Sequence, residues 1–518
     1  CHSGGSYGSK QLIPHLALQA IALARETGRA VKLMMDRTDH MLSYELRQGS
    51  RIRGKVGITQ DGLINAIQGM WYIDSGMSST YAQAMTAVGL GEAQAFCGKC
   101  KNWDLETMLI ATNHSSQAPI RGFGGQELKG ALIPLVCTAI RAAGMDPYEV
   151  FKKNFVKAGD SYIWRDYKWW DVRSVDFTAA FEESAARFGW KDKWKGWEKP
   201  TWVSEDGKRA VGVGVGVHGN ADIGEDPTEG FVKLHPFGSV TVEMCIGETG
   251  GAQRHAIQKM VAEIMKVPFD GVQLVNSDTH GTGYDAGMIG SRGTITMGTC
   301  AVRAAKDARR KLLMMASEKL NIDVDELDTE DFLVFQRSKP QMRLPWIAIT
   351  GTPEMTITGM GIYKQNFDKP NFALYFAEVE VNLETGETKL IRALEGTDVG
   401  QIIDPVNVRM QAEGSFGAAG ADTALFEEMV MDKKLGRFVS GNMIDYKWRT
   451  FNEFPPFDTV ILESRFDTES FHALGFGEIS GSPAPSAILM AVSNAIGVEV
   501  KEYPTTPTVV LKAMGKIK

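Results

Sequence analysis

Glycine placement is the tightest constraint on what this chain can build. Five short segments each hold two or more glycines. They are Gly4-Gly5-Ser6-Tyr7-Gly8-Ser9-Lys10, Arg121-Gly122-Phe123-Gly124-Gly125-Gln126, Gly247-Glu248-Thr249-Gly250-Gly251, Gly290-Ser291-Arg292-Gly293-Thr294 and Gly475-Phe476-Gly477-Glu478. Glycine lets backbone approach a ligand or another backbone closely. Most of these turns run into a segment with helical spacing, and a helix start presents free N–H groups to negative charge. Five such turns, one with an arginine and one with a glutamate, suit a single extended, phosphate-bearing ligand beside a reacting centre. No Walker lysine or Ser/Thr follows Gly250-Gly251, which argues against a nucleoside-triphosphate loop.

A chain of 518 residues, 43% of them hydrophobic, is long enough for two large domains or about three smaller ones. The net charge of −7 argues against a nucleic-acid binder, and no apolar run is long enough for a membrane span. Of the six cysteines, Cys97 and Cys100 alone have metal-like spacing, and no second pair exists. They read as reduced structural thiols of a reducing, cytoplasmic compartment. The start, Cys1-His2-Ser3, is neither a signal peptide nor a Met start. It reads as the middle of something: a fragment, or a processed or split subunit whose partner supplies the rest.

Apolar periodicity predicts helices over 12–25, 127–143, 253–265, 294–320, 408–424 and 483–496. Strands are expected at 31–35, 51–58, 63–73, 210–217, 231–234, 239–245, 272–275, 374–381 and 388–393. Gln60-Asp61-Gly62 and Glu384-Thr385-Gly386-Glu387 close hairpins. Val and Gly alternate over 210–217, which suits a strand pressed against another backbone. The stretch 164–202 carries most of the tryptophans and reads as a surface connector, with a boundary near 195–208. Mixed sheets with helices laid against them give an α+β (mixed α/β) class with two domains, 1–205 and 206–518.

Glu478 is the sharpest single residue. It stands between a glycine turn and a helix opened by Pro483 and Pro485. Rigid apolar surroundings favour a carboxyl that can take a proton near neutral pH, as a general base must. The alternative is a plain cap on that helix. Arg121 is open to two readings as well, a ligand contact or a buried salt-bridge partner.

These segments together resemble the molybdenum-cofactor subunit of the xanthine oxidase and aldehyde oxidoreductase family of molybdenum hydroxylases. The first turn resembles the family's GGGFGGK segment. Thr112-Asn113 with the 119–126 stretch resembles TN…RGFGGPQ, and the 247–251 turn stands where the family has EMGQG. Ser277-Asp278-Thr279 with Gly290-Ser291-Arg292 resembles DT…GSR. Asp398 to Pro405 with Met410-Gln411 resembles D.G..INP…GQ.EG, and Gly477-Glu478 resembles the turn that carries the family's base. Two departures matter: Gly251 replaces a glutamine, leaving Gln253 to take its place, and Ile479-Ser480 replace prolines.

The resemblance implies roles. Glu478 would be the general base beside molybdenum, in a hydroxylation that takes its oxygen from water. Arg121 and Phe123 would line the substrate cavity, and Arg47 matches a substrate-pocket arginine of some members. Tyr7, Gly8, Arg121, Gly250, Gly251, Gly290, Ser291, Arg292 and Gln411 would hold a molybdopterin, in its cytosine dinucleotide form. The pterin dithiolene would hold the metal without protein ligands. Electrons would leave to a [2Fe-2S] subunit and an FAD subunit. A companion chain would supply the family's stretch before the first turn. Related reactions imply two alternatives, dehydrogenation of a cyclic ketone and reduction of an aromatic thioester. A non-catalytic scaffold is the other reading.

Overall fold

The computed structural model describes residues 4–518 except 9, 11–14, 48, 79–80, 164–168, 222–225, 277, 279 and 366–369. Ser9, Leu12, Trp164, Ser277 and Thr279, which belong to segments singled out above, lie outside the described residues.

The first sheet begins as expected. Ser50–Ile58 and Ile64–Gly76 pair antiparallel across the Asp61-Gly62 turn. Asn102–Ala111 then adds in parallel to Ile64–Gly76, after the helix Ala82–Phe96. That helix is almost entirely buried, and Gly125–Ala142 packs beside it.

The central sheet runs in the order Phe457–Leu462, Thr388–Asp398, Pro370–Asn382, Arg209–Ala221, Trp202–Val203. Its middle strand, Pro370–Asn382, is buried on both faces. Phe372, Leu374 and Phe376 point into the larger core, while Tyr375, Ala377 and Val379 point into the core under helix Ala484–Ile496. This is the two-residue period of a strand sandwiched between layers. A third sheet, Val272–Asn276, Ser239–Met244, Thr228–His235 and Ile357–Tyr363, is covered by helices Gln253–Met265 and Gly298–Leu320. The molecule is therefore of the α+β class.

The Val/Gly alternation finds its reason in the central sheet. A Cβ at Gly212, Gly214 or Gly216 would overlap backbone of Ala491, Ala487 or Pro483. The strand Arg209–Ala221 thus carries helix Ala484–Ile496 backbone to backbone. Valine at the alternate positions Val213, Val215 and Val217 fills the opposite core.

Four sequence expectations are corrected. Residues 31–35 form no strand; a five-residue apolar run does not by itself decide a conformation. The predicted 408–424 helix is Pro405–Ser415 followed by a π turn, Phe416–Gly420, and a short helix, Ala421–Leu425. The 294–320 helix likewise starts at Gly298, after the π turn Gly293–Met297. Such turns mark places where a helix yields to a neighbouring demand, often at functional sites. The stretch read as a surface connector is also more than that. Phe181, Phe188 and Trp190 are buried, Trp190 stacks on Trp194 at 5.1 Å, and the Arg392 guanidinium lies 5.2 Å above the Phe188 ring.

Gly214→Val tests the backbone seam. Its side chain has no room against Ala487, so a loss of about 1–3 kcal/mol is expected in chemical denaturation. Gly207→Ala, where a Cβ meets nothing, costs less through its positive φ alone.

Candidate functional site

The glycine turns converge. Gln411, on the helix Pro405–Ser415, joins three of them. Its Nε2 donates to the Gly250 carbonyl at 3.2 Å, and its Oε1 accepts from Arg121 Nη2 at 3.4 Å. Its own carbonyl accepts from Ser480 Oγ at 3.3 Å. A fourth turn enters through Ser291, whose hydroxyl accepts the Glu478 N–H at 3.0 Å. The fifth enters through Tyr7, whose carbonyl accepts the Arg121 N–H at 2.6 Å. Five segments spread from residue 7 to residue 480 therefore meet at one place.

Local backbone explains the residue types. Gly8 has a φ of +112°, and a Cβ there would strike the Pro119 carbonyl. Gly250 (φ +86°) faces space that no atom of the described residues fills within 4 Å of an added Cβ. Gly290 has a φ of 57° and Ser291 one of 58°; serine in that region is strained and persists where surroundings fix it. Gly251 is where Gln253 lies, since a Cβ at Gly251 would overlap the Gln253 amide.

Side chains divide into those aimed at the junction and those that hold it. Arg121 is buried at 7% exposure, and its Nε has no hydrogen-bond partner among the described residues. Burial lowers its pKa, opposed by the negative charge of Glu395 and Glu478 and by Tyr7. Gln253 Oε1 is likewise buried without a partner among the described residues. A cavity lined by Gly251, Gln253, Ile402, Asn407, Gln411 and Gly477 opens beside them. Buried polar atoms with nothing to bond to cost stability, so a site that keeps them calls for a polar ligand. Phe123 is half-buried and packs on the core, and Tyr7 is 54% exposed.

Two predicted contacts are turned inward. Arg292, 1% exposed, pairs with Asp285 at 3.1 Å and donates to the Gly287 and Asp226 carbonyls and to Thr228. Its guanidinium holds its own loop. Arg47 donates to Glu127 at 2.6 Å and to the Arg121 carbonyl at 2.7 Å. It supports the Arg121 turn from behind.

Sequence reasoning missed several groups. Glu395 is 1% exposed, and the Gly481 N–H donates to both its oxygens at 3.3 Å. Burial pushes its carboxyl up to about 7, against the hydrogen bonds from Ser480 and Gly481 and the charge of Arg121. Ser415 and Ser480 share a hydrogen bond that ties the helix Pro405–Ser415 to the Glu478 turn. Glu92 and Lys129 are buried just below the Arg121 turn. The available signal was a lone charge inside an apolar helix, as Glu92 is in Ala82–Phe96. A separate cavity of about 670 Å³ lies elsewhere, between Asp61, Lys99, Asp146 and Lys157. Salt bridges such as Lys153–Asp61 cross it, and none of the five turns reaches it.

Comparison with known proteins agrees with this geometry. Residues 184–455 match a molybdopterin cofactor-binding domain, and residues 1–155 match a second one of the same description. The chain is 23% identical over 516 residues to the putative xanthine dehydrogenase molybdenum-binding subunit of Escherichia coli (strain K12), covering 97% of this chain and 67% of that protein. It is 26% identical over 527 residues to the 6-hydroxypseudooxynicotine dehydrogenase complex subunit gamma of Paenarthrobacter nicotinovorans, covering 97% and 65%. The quinoline 2-oxidoreductase structure from Pseudomonas putida 86 superposes with a TM-score of 0.85 at 21% identity, covering 100% of this chain and 68% of that one. The chain spans about two thirds of the length of these relatives.

Gln411→Leu tests the junction. It removes the bonds to Gly250 and Arg121, each worth about 1 kcal/mol, so a loss of roughly 1–2 kcal/mol is expected. Faster amide exchange at the 121–126 and 248–251 turns, with the central sheet unchanged, is the pattern to be measured.

Proposed function

The chain belongs to the molybdenum-cofactor-binding subunits of the xanthine oxidase and aldehyde oxidoreductase family, and from that premise we propose that it oxidises a carbon centre of a small substrate with water as the oxygen source. The substrate is a (hetero)cyclic compound, a carbonyl compound or an aldehyde. The names of the relatives, which include dehydrogenases and oxidoreductases of xanthine, quinoline and aldehydes, support the class. The observation that carries the reading is the meeting of five glycine turns at Gln411 and Ser291, with Glu478 at the centre and an unpartnered Arg121 Nε beside it.

The residues present fit a molybdopterin. Open space over Gly250 and the unpartnered atoms of Arg121 and Gln253 suit the polar edge of a pterin and its phosphates. Tyr7, Gly8, Gly250, Gly251, Gly290, Ser291 and Gln411 would hold it, with Arg292 fixing the 285–292 loop. Gln253 would take the contact that Gly251 gives up. When bound, the molybdenum pterin supplies the oxidising power for the reaction.

The chain's own groups do the rest. Glu478 accepts the proton released as water delivers oxygen to the substrate carbon. Its backbone is fixed by Ser291 on one side and by Ser482, which donates to its carbonyl at 2.9 Å, on the other. A base whose backbone is held at both ends loses little entropy in reaching its geometry. Arg121 orients an electron-rich substrate atom, and Phe123 offers a ring to stack against. Arg47 keeps Arg121 in place.

Electrons leave through a [2Fe-2S] subunit and an FAD subunit. The pterin is the cytosine dinucleotide, the complex works in the cytoplasm, and the two cofactor-binding domains divide as 1–205 and 206–518. Among the described residues no single helix is long and apolar enough to cross a membrane.

Glu478→Gln is expected to lower turnover by roughly 10²–10⁴-fold while leaving molybdenum content unchanged. Normal turnover in that variant removes Glu478 from the reaction. Product formed in heavy-oxygen water should carry the label; its absence would move the protein to the dehydrogenating or reducing side of the family. Substoichiometric molybdenum in every preparation of the complex would favour a scaffold.

A further inference from the structure

The first sheet has one face that the described residues leave exposed. Ile52, Val56, Trp71, Ile73, Leu105 and Leu109 point inward, against the layer of helices Ala82–Phe96 and Gly125–Ala142. By the two-residue period of a strand, the alternate residues point to the opposite face. There strand Ser50–Ile58 contributes Arg51, Arg53 and Lys55, all exposed. On the far strand, Asn102–Ala111, Glu106 stands level with Arg53 across Met70, and Asp104 stands level with Lys55 across Gln68. Met108, 47% exposed, is level with Arg51 across Tyr72.

The two charged rows do not neutralise one another within the sheet. They flank the middle strand and so lie about 10 Å apart. Arg51, Arg53, Lys55 and Glu106 make no ion pair among the described residues, and Asp104 accepts from Gln68 Nε2 at 2.9 Å. The face is thus basic along one edge and acidic along the other, with Met70 and Tyr72 half-buried between them. Such a pattern is complementary to itself. A two-fold axis running along the strands lays the basic row of one copy over the acidic row of the other. That axis keeps every residue at its own level. Arg53 then opposes the second copy's Glu106, Lys55 opposes its Asp104, and the stem of Arg51 covers its Met108. Met70 and Tyr72 meet their own counterparts. A two-fold axis across the strands would set Arg53 on Arg53, so the charges select one orientation.

We propose that this face is an interface between two copies of the chain, packed sheet on sheet about the axis along the strands. Sheets packed face to face sit about 10 Å apart, within reach of opposed arginine and glutamate side chains. The charged rungs span about 17 Å of strand, a patch at the low end of interface sizes. The association is therefore weak, concentration-dependent and sensitive to salt.

Sedimentation of the intact complex over a concentration series tests the interface. At low ionic strength the mass should rise two-fold with concentration. It should fall back in 1 M salt, where screening acts over about 3 Å. R53E/K55E makes both paired positions of the basic row acidic, and D104K/E106K makes those of the acidic row basic. Each variant alone should stay at the single-copy mass. An equimolar mixture of the two should recover the doubled mass, because each supplies the row the other lacks. All four side chains are exposed, so each variant should unfold at the temperature of the unaltered protein. A single-copy mass for the unaltered complex at every concentration overturns the proposal. So do doubled masses in the separate variants, as expected of charges that merely keep sheet edges apart, and a mixture that stays at the single-copy mass. Loss of a different polypeptide from the complex in R53E/K55E alone would also overturn it, by making the basic row that polypeptide's seat.

Discussion

The close approach of strand Arg209–Ala221 and helix Ala484–Ile496 is the contact on which the rest is built. Three glycines spaced by two let the helix backbone rest on the sheet, and helix Ala484–Ile496 begins just after the Glu478 turn. The position of the carboxylate relative to the sheet is therefore set by main-chain atoms, which do not rearrange as side chains do. From the sheet the chain of support runs outward. Glu395, two strands away on Thr388–Asp398, takes the Gly481 N–H, Ser480 reaches Gln411, and Gln411 reaches the Arg121 and Gly250 turns.

Much of this was legible from residue types alone. The hairpins closed by Asp61-Gly62 and Gly386, the helix Gln253–Met265 and the glycine seam follow from local chemistry, because turn residues and periodicity act over a few positions. The convergence of the turns was legible only as a pattern of glycines. What failed was decided by distant neighbours. Residues 31–35 are apolar but have no strand beside them, and the 408–424 helix is interrupted where Ser415 meets Ser480. The tryptophan-rich stretch looked exposed because lysines surround it. In the fold the lysine stems lie outward while Phe188 and Trp190 turn in, and Lys193 reaches Glu378 at 2.6 Å.

The site residues separate along a similar line. The glycine turns meet at Gln411, whose part came only from the family resemblance and not from spacing. The arginines were harder. Arg292 and Arg47 carry the charge expected of ligand contacts, yet each lies in reach of a buried carboxylate, Asp285 and Glu127, that no sequence pattern pairs with them. Among the described residues, Arg121 keeps one nitrogen without a hydrogen-bond partner. The difference between a structural and an exposed-to-ligand guanidinium lies in what surrounds it, which sequence spacing does not encode.

The missing side chain at Gly125 has an evolutionary reach. The Glu92 carboxylate fills the volume a β-carbon would take, so a side chain at position 125 would push that carboxylate from its place. A lineage that gains even a methyl group at position 125 disturbs the contact between Glu92 and Lys129. Among descendants of this fold, the smallest residue of the turn and the most deeply sunk acid of the preceding helix should drift as a linked pair.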